Sequence, residues 1–201
     1  MTSTPTYSQA MPSEPFQARD VAAAIRRRLP AVGAKKLHKL LYYAQGHHLA
    51  AFGQQLFVQS ISAWDMGPVV GAFWHEEQTP DDALDAAALD EAGLNTVGYV
   101  VSRYGRLTGR DLEVLSRGEL PWQDADRRRN LAGEQSARIS PATMIEYFSA
   151  DGDEDETALD ATGLDAMFAD AAQQSRQSRG DADDLDPDRL RQRLLDWQQS
   201  A

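Results

Sequence analysis

The 201-residue chain contains no cysteine. That absence excludes a disulfide framework, thiolate-ligated zinc, iron–sulfur clusters and a thiol nucleophile, and it leaves four histidines as the only soft metal ligands. No stretch approaches the roughly 18 apolar residues needed to cross a bilayer. The opening segment, Met1-Thr2-Ser3-Thr4-Pro5, has neither the basic cluster nor the apolar core of a secretory signal, so the expected compartment is the cytoplasm. The glycine patterns of a nucleophile elbow, a phosphate-binding loop and a dinucleotide fold are missing as well. The expectation is a protein without catalytic residues, cofactor or metal.

Charge is unevenly spread. The net charge is −11, but residues 1–149 hold 17 acidic and 15 basic side chains, while residues 150–201 hold 14 and 5. A nearly neutral body lacks the lysine and arginine surplus from which most non-specific nucleic-acid affinity comes, so nucleic acid is not the expected partner. The acidic tail suits either a basic partner or simple solvation.

Residues 1–17 read as a flexible leader carrying Pro5, Pro12 and Pro15. Val21, Ile25 and Leu29 then recur every four residues, a short helix closed by Pro30 and Gly33. Leu37, Leu40, Leu41, Ala44, His48 and Ala51 keep helical spacing from about Ala34 to Phe52, with Gly53 as the stop. Leu56-Phe57-Val58 and Ile61-Ser62-Ala63-Trp64 are short, β-branched and aromatic, which predicts a small β element.

Gly67-Pro68 reads as the start of a further helix, because proline is favoured at the first helical position, where its missing N–H costs nothing. Val69, Val70, Phe73 and Trp74 form the apolar face of that helix. Thr79 to Leu94 is acidic and alanine-rich, open between a short helix and a loop, and Val97, Val100, Val101 and Tyr104 restore helical spacing. Thr108 with Asp111 resembles a capping box for a helix that carries Leu112 and Leu115 and ends at Gly118. Pro121-Trp122 reopens a turn of helix, and Ser140-Pro141 begins another that buries Met144, Ile145 and Phe148.

The expected fold is mainly α: a compact multi-helix domain over residues 18–149 with a small β element, followed by an acidic extension over 150–201. In that tail Leu164, Met167, Phe168 and Ala171 form one amphipathic stripe, and Leu190, Leu194, Leu195 and Trp197 form a second. Short isolated helices are marginal in water, so each stripe needs the body or a partner to dock on.

Candidate chemistry is sparse. His47 and His48 are adjacent and so point roughly 100° apart on a helix, and His75-Glu76-Glu77 lacks the second histidine of a zincin. A metal site would need His48, His75 and a carboxylate to converge, whereas the plainer reading of His48 is an imidazole at the core edge. Asp65 and Glu76 could form an acid–base pair only if the fold joined them. Arg26-Arg27-Arg28 and Arg127-Arg128-Arg129 are either phosphate contacts of a helix-turn-helix protein or solvated helix ends. Trp64, Trp74, Trp122, Tyr42 and Tyr43 are either core or interface anchors.

One block is more specific. Lys36-Leu37-His38-Lys39-Leu40-Leu41-Tyr42-Tyr43-Ala44-Gln45-Gly46-His47-His48-Leu49-Ala50, followed by Leu56-Phe57, Ile61, Ala63-Trp64 and Gly67-Pro68-Val69-Val70, resembles the Panacea domain, a family of bacterial and phage antitoxins. Leu115-Ser116-Arg117-Gly118-Glu119, Pro121-Trp122 and the stretch from Ile139 to Phe148 extend the resemblance to about residues 18–149. The chain departs from the family's usual pattern at His38, His47, Gly71 and Ser116-Arg117.

The resemblance implies an antitoxin that binds a cognate protein toxin directly and performs no catalysis. The candidate partner-binding residues are then Tyr42, Tyr43, His47, Trp64, Gly67, Pro68, Trp74 and Trp122 in the domain, with Leu190, Leu194 and Trp197 in the tail. A DNA-binding regulator using the arginine clusters, and a proteolytic adaptor using the tail as a handle, are the alternatives.

Overall fold

The computed structural model describes residues 14–77 and 88–151. Most of the leader, the acidic linker and both tail stripes, with Leu190, Leu194 and Trp197, lie outside the described residues. Within them the chain forms seven helices and one three-stranded antiparallel sheet, the mainly α class that the periodicity predicts.

Helix α1 (Ala18–Arg28) is opened by the Asp20 carboxylate, which accepts from the Gln17 N–H at 3.0 Å, and it buries Val21 and Ile25 completely. Arg26, Arg27 and Arg28 fill its last turn, where cations favour the helix dipole. The body starts slightly before α1. Phe16 pairs with Phe57, its N–H donating to the Leu56 carbonyl at 2.8 Å while its own carbonyl accepts from Val58 at 2.9 Å. Phe16 and Gln17, counted in the leader by composition, are therefore tied to the domain, and Leu56-Phe57-Val58 contributes a single bridge instead of a full strand.

Helix α2 (Ala34–Phe52) ends at Gly53, which takes the left-handed conformation at φ 67. A one-sided stripe is what its leucines suggest. Instead, every residue from Leu37 to Gly46 is buried, because α2 is surrounded by α1, β2 (Gly67–Val70), α4 (Glu91–Tyr104), α5 (Gly109–Gly118) and α7 (Pro141–Asp151). Asp90 caps α4 by accepting from the Gly93 N–H at 2.8 Å. The box at α5 is complete: the Thr108 N–H donates to Asp111 at 2.7 Å and the Asp111 N–H to the Thr108 hydroxyl at 3.1 Å. Helix α6 (Leu120–Ala132) runs 13 residues, much longer than the single turn expected at Pro121-Trp122, and stops at Gly133 with φ 69.

The sheet corrects one expectation. Gly67-Pro68 does not start a helix. Strand β1 (Ile61–Trp64) turns through Asp65 and Met66 into β2 (Gly67–Val70), with Trp64 opposite Gly67 and Ile61 opposite Val70, and β3 (Ala137–Arg138) pairs on the other side of β1. Gly67 has φ 94, a conformation that suits glycine at a turn and not the first turn of a helix. Strand β2 is the sheet edge, where a proline can replace a ladder donor at small cost. Val69 and Val70 thus belong to the strand, and only Phe73 and Trp74 sit on the short α3 (Gly71–Glu77).

Helices α2 and α7 approach unusually closely at Gly46. A methyl group there would overlap the Phe148 ring, itself buried in the core. In an unobstructed helix interior, Gly→Ala stabilises by about 1 kcal/mol. Here Gly46→Ala is expected to destabilise by about 1–3 kcal/mol, with Phe148→Leu in the same chain recovering part of the loss. Urea midpoints of the two single variants and the double variant check this, and a Gly46→Ala protein as stable as wild type would show that the helices are not in contact there.

Candidate functional site

Burying α2 on all sides would leave its polar side chains without water, so each must find a protein partner. Gln45 accepts from the Leu56 and Phe57 N–H groups at 3.0 and 3.1 Å and donates to the Phe57 carbonyl at 3.2 Å, which pins the extended segment. The Thr96 hydroxyl donates to the Ala92 carbonyl and leaves its oxygen for His48 Nδ1 at 2.9 Å. Burial lowers the His48 pKa, and the ring sits in the core as its place among leucines suggested.

Tyr42 and Tyr43 converge on one carboxylate. Their hydroxyls donate to the two oxygens of Glu119 at 2.6 and 2.7 Å. Burial, reinforced by the Glu119 charge, holds both phenols well above their ordinary pKa. Tyr43 also stacks on Tyr104, with centroids 4.0 Å apart and an angle of 16°. The Tyr104 hydroxyl lies 3.0 Å from His47 Nε2 and accepts from Arg103 Nε at 3.2 Å. Burial and the neighbouring Arg103 lower the His47 pKa to about 4, so this half-buried ring is neutral at pH 7.

A second gathering lies where the β1–β2 hairpin meets α2, α3 and the α5–α6 junction. Lys39 is fully buried there, and its Nζ donates to the Pro68 carbonyl at 2.9 Å. Burial lowers its pKa to about 7, with Glu113 opposing the shift and Lys35 and Arg117 adding to it. A Cβ on Gly67 would stand 3.0 Å from Lys39 Cε and 3.3 Å from the Ser116 hydroxyl, so the hairpin presses directly on this lysine. His38 Nδ1 accepts from the Val70 N–H at 3.2 Å, and its ring lies 5.3 Å from that of Trp74. Trp74 in turn meets Trp64 at 6.5 Å, both half-buried. The Arg117 guanidinium stands 5.0 Å over the Trp122 ring.

The candidate contact residues therefore separate. Trp64, Gly67, Pro68, Trp74 and Trp122 collect at this corner. Tyr42 and Tyr43 are core side chains with no surface of their own to present, and they act by holding α2 to Glu119. His47 belongs with Tyr99 and Tyr104. Lys39, Ser116, Arg117 and Glu119 carry the corner's polar chemistry, yet nothing in their spacing marks them out: Lys39 is one cation in a run that also holds Lys35 and Lys36.

The other candidates resolve plainly. Among the described residues no group of three or more histidines and carboxylates is placed to hold a metal ion, and no helix is long and apolar enough to cross a membrane. Asp65 accepts from Arg129 at 2.6 Å, and the same guanidinium is paired with Asp126 at 2.6 Å while being only 8% exposed. Arg128 is paired with Asp124 at 3.2 Å. Two of the three arginines in that cluster are thus engaged with the domain's own carboxylates.

A helical domain with Trp64 and Trp74 side by side at a hairpin corner is the setting in which comparison with known proteins becomes informative. Residues 37–123, from α2 into the first turn of α6, match the family model described as antitoxin SocA-like, Panacea domain. Over that stretch the chain is similar to the Panacea-domain antitoxins. No curated protein and no solved structure matches the chain.

The buried lysine generates a pH dependence with a definite sign. The unfolded chain keeps the Lys39 proton up to its ordinary pKa of 10.5 and the folded protein only to about 7, so the unfolded state binds more protons between those values. Stability therefore rises with pH across that window, and below pH 7 this group adds no further change. The rise from pH 7 to pH 9 is on the order of 2 kcal/mol. Lys39→Met should flatten the urea midpoint over that range relative to wild type, and parallel pH curves for the two proteins would show that Lys39 is not buried as a titrating group.

Proposed function

We propose that this protein neutralises a cognate protein toxin by binding it directly in the cytoplasm, as a stoichiometric inhibitor that uses neither catalysis nor a cofactor. The observation that carries this reading is the Panacea-domain match over residues 37–123. The geometry supports it: the half-buried rings of Trp64 and Trp74 lie beside a hairpin in which Pro68 fixes its own φ, and rigid aromatic side chains remove much apolar area from water at little entropic cost. The near balance of charge over the body favours a protein partner over a polyanion.

The test starts from the neighbouring reading frame whose expression alone stops growth. Purified protein titrated against that toxin should restore its target's activity at about one molecule per toxin, and Trp64→Ala should weaken the complex about tenfold or more while the protein stays folded by circular dichroism. Rescue far below one molecule per toxin, or chemical modification of the toxin, would replace inhibition by catalysis.

A further inference from the structure

At the α5–α6 junction two buried donors have no acceptor among the described residues. The Trp122 side chain is only 5% exposed, and its indole N–H is buried without a hydrogen bond. Arg117 Nε, on the guanidinium that covers the same ring, is also buried without one. Buried donors are almost always paired, because leaving one unmade forfeits its hydration without return. Both donors belong to one cation–π pair, the Arg117 guanidinium over the Trp122 ring.

The acidic side chains that would ordinarily neutralise Arg117 are committed elsewhere. Glu113 stands one turn earlier on α5, the usual position for a helical ion pair, but its carboxylate accepts from Lys35 Nζ at 2.8 Å. Glu119, two residues on, is held by the hydroxyls of Tyr42 and Tyr43. Lys39 points inward to the Pro68 carbonyl, and the cation that covers the Trp122 ring is the Arg117 guanidinium. A planar guanidinium clamped on an indole is pre-organised for a planar, singly charged acceptor that takes two parallel hydrogen bonds.

We propose that Arg117 and the Trp122 indole N–H are the receptor for a single carboxylate, an aspartate or glutamate side chain of the partner protein, seated on the face of the hairpin corner. This deepens the antitoxin reading and rests on it for the identity of the partner. The carboxylate accepts from the guanidinium and from the indole N–H, and the stacking of Arg117 on Trp122 is retained when it binds.

Acetate serves as the probe, because it carries the carboxylate without the partner. Full-length protein labelled with nitrogen-15 is titrated with sodium acetate, with sodium chloride and with inorganic phosphate at matched ionic strength, while the tryptophan indole N–H signals are followed and that of Trp122 is assigned by its loss in Trp122→Phe. Acetate should move the Trp122 signal saturably and chloride should not. Arg117→Met should abolish the response with the other indole signals unmoved, and Arg117→Lys should weaken it about fivefold or more. Equal response to chloride, a response surviving in Arg117→Met, or saturation by phosphate below the acetate range would overturn the carboxylate assignment.

In the neutralisation assay, Arg117→Met should need about tenfold more protein for the same rescue. Undiminished rescue by that variant would remove the carboxylate contact and leave the antitoxin reading standing. Absence of any rescue by the wild-type protein would remove the antitoxin reading, while the acetate titration would still decide the site.

Discussion

The described fold depends on one constraint: a central helix buried on every side that nonetheless carries histidine, lysine, tyrosine and glutamine. Apolar area alone cannot stabilise such a helix, since each polar group taken from water costs more than a buried methylene returns unless it is paired. The surrounding elements are placed by those pairings. Gln45 brings in the 56–57 segment, His48 brings in α4, His38 and Lys39 bring in β2, and Tyr42 with Tyr43 brings in the start of α6 through Glu119. Leucine packing supplies the driving force, and the polar contacts select which neighbour lies against which face.

The same division of labour holds at the hairpin corner. Pro68 has no N–H to give, but its carbonyl receives the Lys39 amine, and Gly67 leaves just enough room for that amine to arrive. The exposed part of the corner therefore rests on a buried support whose members come from α2, β2 and, through Ser116, α5. A partner docking on Trp64 and Trp74, as proposed, would meet a surface supported by the core and would lose little ordering entropy on association.

Local signals were legible where the physics is local. The Gly53 stop, the Thr108–Asp111 box and the proline that opens α7 each work within one helical turn, and each is where its residues indicated. The reading of Gly67-Pro68 failed because two local rules compete there: proline at the start of a helix, and proline on an edge strand. The outcome is set by pairing with β1, which a window of neighbouring residues does not contain. The sequence leaves Tyr42 and Tyr43 open between core and interface and gives no sign that Lys39 is buried, since both outcomes are imposed by α5, β2 and α7 from distant sequence. The grouping of Trp64, Gly67, Pro68 and Trp74 was accessible from their proximity in the chain, whereas Arg117 and Glu119 gain their chemistry only from the fold.

The family match ends at Gln123, yet the core does not. Ile139, Met144 and Phe148 lie inside it, and Phe148 fills the notch that Gly46 leaves in α2. Recognisable ancestry and cooperative folding thus have different borders in this chain. A fragment cut where the similarity stops would expose one flank of its own central helix and invite aggregation. Of the side chains on α7, Phe148 is matched to a single missing side chain in α2, so a change at either position is felt at the other.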